Sequence, residues 1–378
     1  MDCYKPFGSV VWEDRMLTYS SLRFLPRLFF KGRRPIHLTF FITNRCNARC
    51  PYCFYREELN QDKDLLTIVE IEKVVRSFRS PLLWLLLSGG EPFLHPAIDT
   101  ICRLFYHYTR PSFIVIPTGC TLPRIIEQKM TTIIRDCPNS RIVLKASLDG
   151  WGKEHDRLRG VPGNFNRFLE TIDRVGPLTE KYKNFDLGVN SVFLPENEDR
   201  MTDLYRKVRQ FPSVRLHTVN LVRGAQVGHQ WRDVDMEKYR ELGRIMGQDA
   251  LGHKGRRYHF FLSRLKAAQN LLEKELIYQT VRRRRRQLPC YAGRLNLVLS
   301  ETGDVFPCEM LDWKCGNVRE ARYDLEKIIF RREVRDYLTK IRQGTPQCHT
   351  CTHECNLATN ILFNPFMLMK TAALAVHL

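Results

Sequence analysis

The sequence has no uninterrupted apolar run of about 18 residues, the length a membrane-spanning helix needs, so no span is expected. It is poor in acid. Against 60 Lys and Arg stand 41 Asp and Glu, which leaves a net charge of +19 over 378 residues. Its start, Met1-Asp2-Cys3-Tyr4-Lys5, has no cationic stretch leading into an apolar one, so a secretory signal peptide is not expected. No internal repeat of fixed period is visible, which sets solenoids and propellers aside. Hydrophobic residues are not scarce, and at 43% of the chain they exclude a disordered segment. These absences lead to the expectation of a cytoplasmic protein in reducing surroundings. There, clustered cysteines bind metal more often than they pair as disulfides.

Cysteine is what the chain has in excess, with 13 residues. Cys46, Cys50 and Cys53 form a C-x3-C-x2-C run, and Cys348, Cys351 and Cys355 form a C-x2-C-x3-C run preceded by Cys290 and Cys308. Cys3, Cys102, Cys120 and Cys137 follow no pattern and read as small buried apolar groups. Cys315 sits near the second group without belonging to its spacing.

Hydrophobic patterning divides the chain into five stretches. Residues 1–37 are a preamble whose segment Leu22–Arg34 interleaves bulky apolar side chains with cations. Residues 38–235 alternate strand and helix patterns. The strand candidates are His37–Thr43, Leu82–Leu87, Phe113–Ile116, Ile142–Leu148, Leu187–Phe193 and Val214–Val222. The apolar run Leu82–Leu87 suits a strand buried on both faces. Thr67 and Glu70 form a capping-box pattern that starts a helix. Such alternation predicts βαβ units and a curved, parallel, barrel-like sheet with its functional loops at the strand C-termini. Residues 236–288 read as a basic helical linker ending in Arg282–Arg286. Residues 289–360 read as a small cysteine-rich unit containing a hairpin over Arg294–Phe306, its stability dependent on metal. Residues 361–378 form an apolar tail suited to an amphipathic or docking helix.

Three thiolates on one loop can hold three irons of a four-iron cluster and leave the fourth iron open. A closed zinc site wants a fourth ligand. C-x3-C-x2-C after the first strand, with Tyr52 before its last cysteine, resembles the radical S-adenosylmethionine (SAM) superfamily. Ser88-Gly89-Gly90-Glu91-Pro92 after the second strand is similar to that family's GGE motif. Ser147-Leu148-Asp149-Gly150, followed by His155-Asp156-Arg157-Leu158-Arg159-Gly160, is similar to its S-x-D-G and H-D-x-x-R-G stretch. The resemblance implies an α/β fold, a partial (β/α)6 barrel with a [4Fe–4S] cluster on Cys46, Cys50 and Cys53. It also implies that SAM is bound by Gly89, Gly90, Glu91, Ser147, Asp149, Arg159, Asn190 and Tyr52. Where that family often has Thr-Asn-Gly after the third strand, this chain has Pro117-Thr118-Gly119.

The second cysteine group resembles the SPASM/Twitch domain, which carries auxiliary iron–sulfur clusters. Its middle run is incomplete here, and that implies the Twitch form with one auxiliary [4Fe–4S] cluster. The ligands are then drawn from Cys290, Cys308, Cys348 and Cys351, with Cys355 a further candidate and Cys315 a weaker one. Zinc remains the alternative for this group.

Taken together, the resemblance implies a radical SAM enzyme of oxidoreductase type. Its substrate carbon would bear a hydroxyl or amine, with the auxiliary cluster as electron acceptor and a flavodoxin- or ferredoxin-type protein as donor. Alternatives are a peptide-modifying maturase, a modifier of a membrane lipid or polyol, and, more remotely, a zinc- and RNA-binding protein. Arg223, His217 and Glu309 are weak candidates for a general base. The basic and apolar segment Leu22–Arg34, together with the apolar tail, suits an anionic membrane surface at the inner face of a membrane. Nucleic acid is the weaker reading, since no RNA-binding module accompanies Arg282–Arg286.

Overall fold

The computed structural model describes residues 19–29, 34–224, 227–252 and 262–378. Cys3, most of the preamble and residues 30–33 of its basic segment lie outside them. Six strands run parallel and side by side: β1 (His37–Thr43), β2 (Trp84–Gly89), β3 (Phe113–Thr118), β4 (Arg141–Ser147), β5 (Phe185–Phe193) and β6 (Val214–Leu221). Helices return the chain between successive strands, including Ile68–Arg76, Ile98–Thr109, Pro123–Asp136, Asn164–Val175 and Met201–Val208. The fold is therefore the expected α/β partial barrel of six strands.

Local chemistry explains several element starts. The Thr67 hydroxyl accepts from the Glu70 backbone N–H, and the Glu70 carboxylate accepts from the Thr67 N–H, so two otherwise unpaired helix donors are satisfied. Pro123 opens the helix Pro123–Asp136, where its missing N–H costs nothing. On β2 the apolar run begins two residues earlier than the strand, and its burial departs from expectation. Leu85 and Leu87 are fully buried, whereas Trp84, Leu86 and Ser88 line a cavity inside the barrel. Successive side chains point to opposite faces, so an all-apolar strand serves a core and a cavity equally well.

The cysteine-rich segment does not form a sheet of its own. Its strand β7 (Asn296–Leu299) pairs in parallel with β1, from His37↔Asn296 to Phe40↔Leu299. β8 (Asp304–Phe306) folds back as the expected hairpin, and β9 (Gly316–Asn317) follows. One nine-stranded sheet results, in the order β6-β5-β4-β3-β2-β1-β7-β8-β9. Joining it covers the β1 edge, whose exposed backbone groups would otherwise invite foreign pairing.

The basic linker contains the helices Met236–Leu251 and Ser263–Arg283. Its arginine run is partly engaged, since the Arg286 side chain donates to the Ile341 carbonyl at 2.7 Å. The helix Glu354–Leu362 closes the cysteine-rich stretch, and the tail forms the helix Pro365–Val376, packed along Ser263–Arg283. Among the described residues, no helix is long and apolar enough to cross a membrane.

Candidate functional site

The first cysteine loop leaves the end of β1 and is fastened at several points. Asn44, fully buried, donates to the carbonyls of Glu58 and Gln61 at 3.1 and 2.8 Å. The Asn60 amide clamps Cys46 from both sides, accepting from its N–H and donating to its carbonyl, both at 3.0 Å. Cys46, Cys50 and Cys53 are half-buried free thiols within eight residues of one loop. Burial pushes Cys46 up to about 12 and Cys53 up to about 11, and raises Cys50. Such thiols give up their protons only to a cation that replaces them, and three on one loop leave a cation one position short of a closed shell. The donor set fits a cluster with an open iron.

The Gly-Gly-Glu loop packs directly beneath. Gly90 donates its N–H to the Thr43 carbonyl at 2.7 Å, and Glu91 donates its own to the Arg45 carbonyl at 2.8 Å. A Cβ on Gly90 would fall 2.1 Å from the Arg45 oxygen, so only glycine permits this approach. The Glu91 side chain departs from the role implied for it. Its buried carboxylate accepts from Thr118 Oγ1, the Gly119 N–H and the Phe93 N–H at 2.9, 2.7 and 3.2 Å. It ties the β2 loop to the β3 loop, and Thr118 and Gly119 serve it.

Asp149 likewise turns inward. It is fully buried, and its Oδ2 accepts from the Tyr52 hydroxyl at 2.6 Å and from Arg159 Nη2 at 2.7 Å. Its Oδ1 accepts from the Val192 N–H at 2.7 Å. With these donors in place, Asp149 holds Tyr52 and Arg159 rather than reaching into the cavity. Arg159 in turn points Nη1 at the Cys50 sulfur from 3.7 Å, while its carbonyl accepts from Arg49 N–H at 2.9 Å. His155 accepts from the Asp149 N–H at 3.2 Å and meets Asn164 at 3.0 Å. Burial lowers its pKa to about 4, so it is neutral at physiological pH.

Inside the barrel lies a cavity of about 470 Å³. Alternate residues of the strands face it, among them Ser88, Pro117, Lys145, Asn190, Val192 and Asn220. Asn190 Oδ1 accepts from Thr218 and Asn220 at 2.9 and 3.1 Å. Ser147 pairs in register with Asn190 at the end of β4. Tyr52 and Phe54 bring the first cysteine loop to the cavity, and Arg223, Glu309, Glu354 and Cys355 border it as well. Arg223 pairs with Glu309 and Glu354 at 3.2 and 3.1 Å. His217 is not part of this wall. It is buried against Ser191 at 2.8 Å, and burial lowers it to about 3.

The second cysteine group separates cleanly. Cys290, Cys308, Cys348 and Cys351 line one small pocket of about 40 Å³ with His353 and Asn356. Sulfur acceptors there are already furnished with donors. Cys308 accepts from Asn356 Nδ2 at 3.0 Å and Met310 N–H at 3.4 Å, and Cys290 accepts from Ala292 N–H at 3.4 Å. Such bonds to sulfur stabilise thiolates and tune a cluster. Cys355 lies instead on the barrel cavity, where Glu309, His353 and Cys355 offer ligand atoms within 4.8 Å of one another. Cys315 is buried outside the four-cysteine pocket, and Cys102, Cys120 and Cys137 are fully buried.

Several polar groups that line the cavity or the pocket went unassigned in the sequence. His353 and Glu354 lie within the second cysteine run itself, and Lys145 stands two residues before Ser147, on the same strand face. His37 and Lys266, which also line the cavity, carry no local signal at all.

Comparison with known proteins agrees with this geometry. Residues 40–208 match the radical SAM superfamily, and residues 290–355 match an iron–sulfur cluster-binding domain, SPASM. The chain is 26% identical over 307 residues to the antilisterial bacteriocin subtilosin biosynthesis protein AlbA of Bacillus subtilis, covering 77% of this chain and 59% of AlbA. It is 25% identical over 297 residues to the AdoMet-dependent heme synthase of Methanosarcina barkeri, covering 75% of this chain and 79% of the synthase. Among solved structures, Streptococcus suis SuiB bound to S-adenosylmethionine shares the fold, with a TM-score of 0.57 and 16% identity over 86% of this chain and 74% of SuiB. So does anSMEcpe with bound AdoMet, with a TM-score of 0.59 and 14% identity over 91% of this chain and 100% of that one. The chain belongs to the radical SAM superfamily, an enzyme whose cofactors are SAM and iron–sulfur clusters, the auxiliary one carried by its SPASM domain.

Proposed function

We propose that the chain is a radical SAM oxidoreductase acting on a substrate held in the barrel cavity. The observation that carries this reading is the position of that cavity. It touches Tyr52 and Phe54 beside the first cysteine loop and Glu309 and Cys355 beside the second group. Cys46, Cys50 and Cys53 hold the first cluster, and Cys290, Cys308, Cys348 and Cys351 hold one auxiliary cluster. When bound, the first cluster and SAM supply a hydrogen-abstracting carbon radical. The chain's own residues orient and enclose. Gly89 and Gly90 bring backbone close to the cluster loop, Arg159 sets a positive charge beside Cys50, and Asn190 presents an amide to the cavity. His353 and Arg223 hold the Glu309 carboxyl below the usual carboxylate range against its burial, and Arg223 also pairs with Glu354, where the substrate carbon would lose its proton. An electron acceptor across the cavity from the radical source suits oxidation at a hydroxyl- or amine-bearing carbon. Electrons for the first cluster come from a flavodoxin- or ferredoxin-type donor.

The test is anaerobic reconstitution with assay for 5′-deoxyadenosine. About eight irons per chain are expected, from two four-iron clusters. Cys50→Ala should abolish SAM cleavage. Full turnover by that variant, or zinc without iron in the wild type, overturns the reading.

A second reading, peptide modification, is favoured by the similarity to AlbA, a bacteriocin biosynthesis protein. Release of 5′-deoxyadenosine stimulated by a peptide but by no small polyol or amine would select it. As to location, two elements present apolar faces to solvent. Leu22, Leu25 and Phe29 are 41%, 51% and 77% exposed, and Phe366, Met369 and Val376 are 70%, 65% and 76% exposed. With a net charge of +19, these faces suit the headgroup region of an anionic bilayer. Cosedimentation equal with neutral and anionic vesicles, or absent, removes that reading.

A further inference from the structure

The arginine run Arg282–Arg286 does not line the reaction cavity. It lies in a stretch without acid, Leu276–Ser300, and a second such stretch is Tyr337–His353. Folding joins the two. The Arg286 N–H donates to the His349 carbonyl at 2.5 Å, and its side chain donates to the carbonyls of Ile341, at 2.7 Å, and of Arg342. On either side of this junction Arg282, Arg283, Arg284, Arg285, Lys340 and Arg342 are exposed. Among the described residues, none of the six has an acidic partner. Arg282 and Arg283 donate only to Tyr278 and Gln287.

Both stretches hold a helix C-terminus, where the helix dipole favours a cation or two. Six cations without an acid go beyond that, and their mutual repulsion costs stability. Other exposed arginines carry an acid one turn away, as Arg76 does with Glu72 at 2.6 Å, Arg206 with Asp203 at 3.3 Å and Arg244 with Glu241 at 2.6 Å. The patch also abuts the second cysteine group. Arg286, Gln287, Ile341 and Gln347 line the pocket of Cys290, Cys308, Cys348 and Cys351.

Oxidation of the substrate carbon removes one hydrogen atom, one proton and one electron. The hydrogen atom leaves in 5′-deoxyadenosine and the proton goes to a base. The electron passed to the auxiliary cluster has to leave the chain before the next turnover. We propose that the arginine patch is the docking face for an acidic one-electron carrier protein, the oxidant that takes up this electron. For the electron this rests on the oxidative reading above; for the docking it rests on charge alone. Charge complementarity steers and holds a transient partner without apolar anchors. A bilayer would want apolar side chains beside the cations, and a single-stranded nucleic acid would want aromatic ones on which bases stack. Among the described residues, neither stretch presents an exposed large apolar side chain.

The test titrates the full-length, anaerobically reconstituted holoenzyme with an oxidised flavodoxin of acidic net charge. Saturable binding that weakens with salt is expected. The triple variant Arg283→Glu, Arg285→Glu, Lys340→Glu should weaken it on the order of tenfold or more. A control triple of equal net charge, Arg135→Glu, Arg206→Glu, Arg244→Glu, should bind as the wild type does. Iron content measured in parallel reports folding. A second readout uses the Cys50→Ala background, so that the auxiliary cluster is the electron source. There, electron transfer from dithionite-reduced protein to the flavodoxin should slow by a similar factor in the patch triple. The inference falls if the wild type does not bind the flavodoxin saturably, if the two triples bind alike, or if electron transfer is unchanged in the patch triple. It falls too if that triple keeps the flavodoxin and loses phosphatidylglycerol vesicles or polyuridylate instead. Docking and electron transfer without SAM cleavage would leave this inference standing and remove the catalytic reading, and SAM cleavage without docking would do the opposite.

Discussion

Arg159 approaches the Cys50 sulfur to 3.7 Å while its other amino group lies 2.7 Å from Asp149. A guanidinium is thereby shared between a buried carboxylate and a thiol of the first cysteine loop. The thiolate form of Cys50 is favoured by this neighbour and opposed by burial. Arg159→Met takes the ion-pair partner from the fully buried Asp149 and leaves it only the Tyr52 and Val192 donors. The expected loss is about 3–5 kcal/mol of folding stability, read from denaturant midpoints. Adding Asp149→Asn should restore part of it. A single variant as stable as the wild type would show that the pair does not brace the loop.

The four-cysteine pocket and Cys355 make opposite predictions. Cys348→Ala should lower iron by about four per chain, sparing uncoupled SAM cleavage while losing product. Cys355→Ala should keep the full iron content, because its sulfur faces the barrel cavity. Iron and sulfide analysis checks both, and equal iron loss in the two variants would place Cys355 among the ligands.

Gly90→Ala should disable the first cluster site. The added methyl would lie 2.1 Å from the Arg45 carbonyl, within the stretch that leads into Cys46. Gly119→Ala is the control, since its nearest atom is Glu91 Oε2 at 3.4 Å, an ordinary contact. Electron paramagnetic resonance of the reduced protein should show the SAM-responsive signal lost in the first variant and kept in the second.

Glu273 gives a pH signature. Desolvation by burial raises its pKa from 4.5 to about 7. The folded state therefore holds this proton more tightly than the unfolded chain does, and its contribution is fully present below pH 4.5. It is lost as pH rises through about 7. Glu273→Gln should flatten this part of the stability profile between pH 5 and 7.5, measured by thermal unfolding of the wild type and variant. An unchanged slope would mean that another group carries it.

What was legible in the sequence was local. Cys46, Cys50 and Cys53 lie within one loop, as do Gly89 and Gly90, and spacing alone brings them forward. The six strands followed from apolar runs of the right length, with ends that fall within two residues of those expected. The partners of Asp149 were not legible because they come from elsewhere in the chain. Tyr52 is 97 residues away in sequence, and nothing near Asp149 announces a hydroxyl and a guanidinium waiting for it. The bracing contacts of Glu91 were hidden for the same reason, two of its three donors lying on the β3 loop. The cavity face of β2 could not be told from a core face, since Leu86 serves either. His37 gave no signal because its place in the cavity wall is set by packing.

The pairing of β7 with β1 fixes more than an edge. Four consecutive residue pairs, His37↔Asn296 to Phe40↔Leu299, join the strand that leads into the first cysteine loop to the one that follows Cys290. Among the described residues, this pairing puts the two cysteine groups on one sheet without a hinge between these strands. The span between the groups is then set when the chain folds, with no closure of one strand on the other to shorten it. Selectivity must then come from what the cavity admits, not from a motion that follows admission.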